Sequence, residues 1–242
     1  MARTGSLRLR TPGDESTRLC LGLGYDAAHI MRIIAFHKPF HVLTQFTDPE
    51  GRTTLKSYID LVGIYAAGRL DYDSEGLLLL TDDGEINESL TNPRHERPKT
   101  YWAQVEGKAT PEQLAPFQSG LLVAGEKMRP AQARIIADPR VGDRMSHADP
   151  RNPVPAPVRA YHPSTWLEIV VHEGRKRQVR RMTAAIGLPC LRLIRYAIGP
   201  ITLDGLAPGV WRPLTAAEVR LLQSTPRSGG ARRPASKDPR HG

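Results

Sequence analysis

Five carboxylates, Asp71, Asp73, Glu75, Asp82 and Asp83, crowd residues 68–84 of a chain otherwise rich in arginine. Side chains of this type and spacing could ligate a hard cation, serve as a catalytic base or nucleophile, or form turns around a strand. The run Asp71-x-Asp73-x-Glu75-Gly76 imitates the first half of an EF-hand calcium loop, with the required Gly at the sixth position. The imitation then fails. The twelfth position falls on Asp82, where a bidentate Glu is wanted, and Leu77 to Thr81 is a continuous apolar run that reads as a buried strand. A strand closed by an Asp-Gly hairpin turn accounts for Asp82, Asp83 and Gly84. It leaves Asp71, set tightly behind Gly68-Arg69-Leu70, without a structural reason.

The opposite charge is concentrated in Glu173-Gly174-Arg175-Lys176-Arg177-Gln178-Val179-Arg180-Arg181-Met182. Over 242 residues, 34 Lys and Arg outnumber 25 Asp and Glu, for a net charge of +9. That balance suits a polyanion, because basic side chains that neutralise phosphates release counterions. The eight His show no metal-ligand spacing, and the two cysteines, Cys20 and Cys190, imply neither a zinc site nor a disulfide framework. They are expected as thiols in a reducing compartment. No apolar run approaches the ~20 residues that span a membrane, and the first residues lack a secretory apolar segment. A soluble cytoplasmic protein is expected.

Several of these segments, in this order, resemble the pseudouridine synthases, in the branch that acts on ribosomal RNA. Gly68-Arg69-Leu70-Asp71 with Ser74 to Gly84 is similar to the family's central motif. Lys38-Pro39-Phe40 with Val42-Leu43 resembles its N-terminal Lys-Pro motif, and Lys99-Thr100-Tyr101 with Val105 its Lys-x-Tyr motif. Residues 173–182 resemble its Glu-Gly-Arg motif. Leu193-Ile194-Arg195, Ile198-Gly199 and the Pro208-Gly209 turn complete the set, which covers roughly residues 31–222.

The resemblance implies isomerisation of uridine to pseudouridine: the C1′–N1 bond breaks, the base turns, and C1′ bonds to C5. Neither redox change nor group donor is involved, so no cofactor and no metal are expected. By the same resemblance Asp71 is the catalytic carboxylate, attacking C1′ or removing a sugar proton; Asp73 and Glu75 are turn and packing residues. Arg180 stands where close relatives carry Lys as the carboxylate's basic partner. The base must be flipped out of its stack. Tyr101 would offer it an aromatic face, worth ~1–3 kcal/mol, and Leu193 an apolar wall. Arg69 would fill the gap left by the base or hold its phosphate, and Arg175, Lys176, Arg177 and Arg181 would form a phosphate patch. The implied partner is ribosomal RNA, of the large subunit, since the chain is most like the shorter large-subunit members without a small N-terminal RNA-binding domain. A monomer is expected. Two other readings stay open: an inactive rRNA-binding assembly factor of the same fold, and a calcium protein built on residues 71–82.

The elements that must position these residues read as mixed. Residues 31–36, 77–80, 101–105, 166–171, 198–203 and 211–214 read as strands. Residues 53–62, 85–90, 111–119, 177–186 and 215–222 read as helices, the last with Thr215 as N-cap. Gly120 is followed by a return strand, and five prolines in residues 139–158 mark a loop. Such mixing without strict alternation indicates an α+β fold; the resemblance adds a central, mainly antiparallel sheet in two halves with the catalytic cleft between them. Residues 1–30 are expected to be a poorly ordered extension, with Met31 a possible start. Residues 31–222 are the expected catalytic domain and 223–242 a basic, disordered tail that adds RNA affinity.

Overall fold

The computed structural model describes residues 32–139 and 163–224. The expected N-terminal extension, most of the proline-rich loop and nearly all of the basic tail lie outside the described residues.

A single mixed sheet of nine strands dominates. Its order is β11 (Trp211–Pro213), β1 (Ile33–Lys38), β3 (Glu75–Thr81), β9 (Cys190–Ile198), β4 (Lys99–Glu106), β8 (Ser164–Val171), β7 (Gln132–Ile136). The short strands β2 (Tyr65–Ala66) and β10 (Ile201–Thr202) pair with β3 and β9 respectively. Every pairing is antiparallel except β3 with β9. That parallel joint is two register pairs long, Glu75↔Ile194 and Gly76↔Arg195. The sheet is thus two antiparallel halves sharing a narrow seam, as the resemblance implied.

The four-leucine run explains the seam's strength. Leu77 to Leu80 are all 0 % exposed. Strand periodicity sends Leu77 and Leu79 to one apolar cluster, with Trp102 and Ile194, and Leu78 and Leu80 to another, with Phe36 and Val42. A strand covered on both faces needs a continuous apolar run rather than alternation. A third cluster, with Leu167, Ile169, Met182 and Leu193, lies in the β4–β8–β9 half. Gly76 sits where the halves meet, at φ +113, and a Cβ there would lie 2.4 Å from the Arg195 carbonyl oxygen. Only glycine allows both the conformation and the approach.

The helices are short: α1 (Gly84–Thr91), α2 (Pro111–Leu114), α3 (Pro116–Ser119), α4 (Gln178–Ala185) and α5 (Ala216–Ser224). Asp83 caps α1, accepting from the Ile86 amide at 2.9 Å, so Asp83-Gly84 opens a helix and does not join a hairpin. Thr215 caps α5 as expected: its hydroxyl accepts from the Glu218 amide while Glu218 accepts from the Thr215 amide.

Further expectations change. The helix expected over 111–119 breaks in two at Pro116, which has no amide proton to continue the ladder. The helix over 53–62 contracts to a single 3₁₀ turn, Leu55–Ser57. The strand read over 198–203 straddles a turn at Gly199-Pro200, with β9 before it and β10 after. β9 is hidden in the sequence because Arg192 and Arg195 interrupt its apolar pattern; Arg192 pairs with Glu75, and Arg195 donates to the Leu77 and Arg69 carbonyls.

Candidate active site

A cavity of about 500 Å³ opens at the seam, walled by the loop before β3, by β4 and β9, and by the turn between β8 and α4. Of the residues singled out from sequence, Asp71, Tyr101, Leu193, Arg69, Arg175, Lys176 and Arg177 line it. Arg180 and Arg181 do not.

Asp71 sits in a loop whose carbonyls are taken one after another. Arg195 Nη1 donates to the Arg69 carbonyl at 3.2 Å, and the Thr44 hydroxyl to that of Leu70 at 2.6 Å. The Ser74 amide donates to the Asp71 carbonyl and the His41 amide to that of Tyr72. Arg180 Nη2 donates to the Asp73 carbonyl at 2.6 Å. Five consecutive carbonyls, each with a donor from elsewhere in the loop or the fold, leave this backbone one arrangement. The Asp71 carboxylate itself accepts no hydrogen bond among the described residues and stays half-buried at the cavity wall.

The neighbouring carboxylates are consumed by structure. Asp73 takes a bidentate pair from Arg177, both bonds 2.9 Å, with Arg180 Nε 3.5 Å from the same carboxylate. Partial burial pushes the Asp73 carboxyl up, yet Arg177 and Arg180 together outweigh it and hold it below the usual range. Glu75, buried, pairs bidentately with Arg192 at 2.7 and 2.8 Å. Among the described residues no three His, Cys, Asp or Glu side chains gather as a cation requires. The calcium reading of residues 71–82 therefore fails: Asp73, Glu75 and Asp82 are each paired with an arginine, and its second half is a buried strand.

Lys38, of the Lys-Pro motif, lies completely buried under this loop. Its Nζ donates to the Pro39 and Val42 carbonyls at 2.9 and 2.8 Å. Burial pushes its pKa down to about 7, against the opposing pull of Glu75. The pocket's deeper wall is cationic as well. Arg97, Lys99 and Arg195 all line it, and Lys99 is lowered to about 8 by burial, then by Arg195 and Arg97. One guanidinium nitrogen each of Arg97 and Arg195 is buried with no hydrogen-bond partner. Lys99 and Arg195 stand within the motifs without a role that the sequence alone assigns, and Arg97 stands outside them. A signal was present for Lys99, two residues before Tyr101 on β4 and so on the same strand face. Across from it β9 carries the extra residue Tyr196 between the partners of Thr100 and Tyr101, while β4 stays in register with β8.

The basic segment is built differently. Glu173, 7 % exposed, accepts from Gln178 Nε2 at 2.7 Å, from Arg175 Nε at 3.0 Å and from the Arg129 amide at 3.0 Å. Gln178 returns its Oε1 to the Arg175 amide. This closes the turn and leaves Arg175, Lys176 and Arg177 exposed at the rim. Arg180 spans to the Cys190 carbonyl and to Asp73, outside the cavity wall, so these contacts brace the loop and not the Asp71 carboxylate. Arg181 reaches the turn between β5 (Leu122–Val123) and β6 (Glu126–Lys127), meeting the Val123 carbonyl and Glu126. Three of the four non-glycine residues with positive φ among the described residues, His41, Glu96 and Arg177, border this site. Such strain concentrates where function over-determines the backbone.

Comparison with known proteins shows the family. Residues 32–185 match the family described as RNA pseudouridylate synthase. The chain is 50 % identical over 184 residues to the ribosomal large subunit pseudouridine synthase E of Vibrio vulnificus, covering 76 % of this chain and 75 % of that protein. It is 48 % identical over 190 residues to the protein of the same name from Xanthomonas campestris, covering 78 % and 98 %. The ribosomal small subunit pseudouridine synthase A of Salmonella typhimurium is 35 % identical over 79 % of this chain and 74 % of its own. A crystal structure of a pseudouridylate synthase superposes with a TM-score of 0.64 at 28 % identity, over 79 % of this chain and 74 % of the other.

Proposed function

Because the chain belongs to the RNA pseudouridylate synthase family, an isomerase family, we propose that it converts a specific uridine of large-subunit ribosomal RNA, 23S in bacteria, to pseudouridine. The relatives named for that activity support this substrate. One observation carries the catalytic assignment. Among the described residues Asp71 is the carboxylate lining the cavity that has no ion pair, while Asp73 and Glu75, which follow it in the chain, are locked to arginines.

In this reading RNA backbone phosphates meet Arg175, Lys176 and Arg177 at the rim, where exposed cations bind polyanions without reading sequence. Arg69, exposed beside Asp71, meets the flipped nucleotide's phosphate or the gap it leaves. The base enters the cavity against Tyr101, with Leu193, 5 % exposed, as its apolar wall. Asp71 then acts at the sugar, as nucleophile on C1′ or as base, and the clamped loop keeps its carboxylate aimed. Arg180 serves as a positioning residue through the Asp73 carbonyl. The reaction is an internal exchange of a C–N for a C–C bond, and these side chains suffice for it without a cofactor. Residues 31–222 form the catalytic domain; the last helix runs on to Ser224. The protein acts as a monomer in the cytoplasm. No helix among the described residues is long and apolar enough to cross a membrane.

Tritium release from rRNA labelled at uridine C5 tests the assignment, because the product is an isomer of the substrate and has the same mass. Release by wild type and not by Asp71→Asn is expected. Absence of release from both naked rRNA and large-subunit particles would move the function to an inactive assembly factor of the same fold.

A further inference from the structure

Beside the cavity, and outside its wall, three aromatic rings form a column. Phe40 and His41 stack with centroids 3.9 Å apart, and His41 and Tyr72 at 4.6 Å with their planes 8° from parallel. Phe40 is half-buried, His41 exposed, and Tyr72 36 % exposed. Nothing in the core requires this arrangement: none of the three belongs to an apolar cluster. His41 is held in it at φ +55, a strained conformation for a residue with a Cβ, and its amide donates to the Tyr72 carbonyl at 2.9 Å. The same contact that fixes the stack fixes the loop carrying Asp71.

We propose that the Phe40–His41–Tyr72 column is a stacking platform for an unpaired nucleobase of the RNA, adjacent to the nucleotide that enters the cavity. This rests on the reading of Asp71's cavity as the uridine site. Three observations favour an RNA base as occupant. Tyr72 directly follows Asp71, so a nucleotide flanking the target passes this surface. Among the described residues, unpaired cations lie on the same rim: Arg69 is exposed on the other side of Asp71 in the chain, and the Arg177–Asp73 pair next to Tyr72 ties this loop to the turn that exposes Lys176. Arg52, within electrostatic reach of Tyr72, is engaged with Asp48 and Glu50, so recognition at this point falls to the ring faces and not to charge. Aromatic faces accept any base, and extending an existing parallel stack suits a splayed single strand.

Short-wave ultraviolet cross-linking to protein-free large-subunit rRNA, followed by mass spectrometry of the adducts, reads the contact without needing turnover. A nucleotide adduct on Tyr72, an outer ring of the column, is expected. Adducts confined to Arg175–Arg177 would overturn the platform. In the tritium assay Tyr72→Leu should raise KM roughly 10-fold, the loss of about one base stack, with kcat held. Tyr72→Trp should restore KM, which a purely structural role for the tyrosine does not predict. An unchanged KM in Tyr72→Leu also overturns it. If wild type cross-links at Tyr72 but releases no tritium, the platform stands and the enzymatic reading falls.

Discussion

The cavity is faced by two loops that solve opposite problems. In the loop before β3 every carbonyl from Arg69 to Asp73 is bonded, and one carboxylate is left over. In the turn before α4 the buried Glu173 and Gln178 close the backbone, and three cations are left exposed. The first fixes a single functional group to a single position, as bond-making chemistry demands. The second presents a field, and a field tolerates motion because phosphate attraction falls off gently with distance. On the proposed assignment, rigidity is concentrated where an atom would react and relaxed where RNA would be held.

The largest effect that sharpens this contrast is at Asp71. Asp71→Asn keeps the loop's backbone bonds but removes the carboxylate, so turnover should fall about 10²–10⁴-fold or more with rRNA affinity retained. Comparable losses of affinity and rate would break the division of labour. Next is the seam. Gly76→Ala places a Cβ against the Arg195 backbone at φ +113, and should cost about 3 kcal/mol of stability in urea unfolding. An alanine tolerated without loss would mean that the halves separate easily.

Lys38 gives a pH test of the clamped loop's foundation. Its pKa is about 7 folded against an ordinary 10.5. Below about pH 7 both states hold the proton and stability does not change. Above it the folded lysine is neutral while the unfolded one stays charged, so the unfolded state binds more protons and stability rises with pH. The stability of wild type minus that of Lys38→Met should therefore increase by on the order of 2 kcal/mol from about pH 7 to about pH 9. A flat difference in denaturation experiments would place the Lys38 amine in contact with water.

The smallest effects belong to the exposed turn. Arg175→Ala or Lys176→Ala should weaken rRNA binding roughly 3–10-fold at low salt, and lower the slope of log affinity against log salt by about 1 each, with kcat nearly kept. Loss of kcat instead would show that this turn, like the other, positions a reacting group.

Much of this was legible in the chain alone. The Leu77–Leu80 run announced a doubly covered strand, Asp71 stood out for lack of a structural reason, and the charge balance pointed to a polyanion, because these are properties of local spacing and composition. Arg180 shows the limit. Its motif supplied a partner for a carboxylate, but whether the guanidinium meets Asp71 or Asp73 depends on how α4 is docked against the loop. The Arg192–Glu75 pair and the hydrogen bond from Arg195 to the Leu77 carbonyl hid β9, since a charged residue looks solvent-facing until a partner more than a hundred positions away pairs with it or accepts its hydrogen bond. The aromatic column joins residues that read separately as a Lys-Pro motif and a turn. Hydrophobic periodicity is written along the chain and survives without the fold. Neutralisation, stacking and the spare carboxylate arise only when distant segments meet, and those the tertiary structure alone decided.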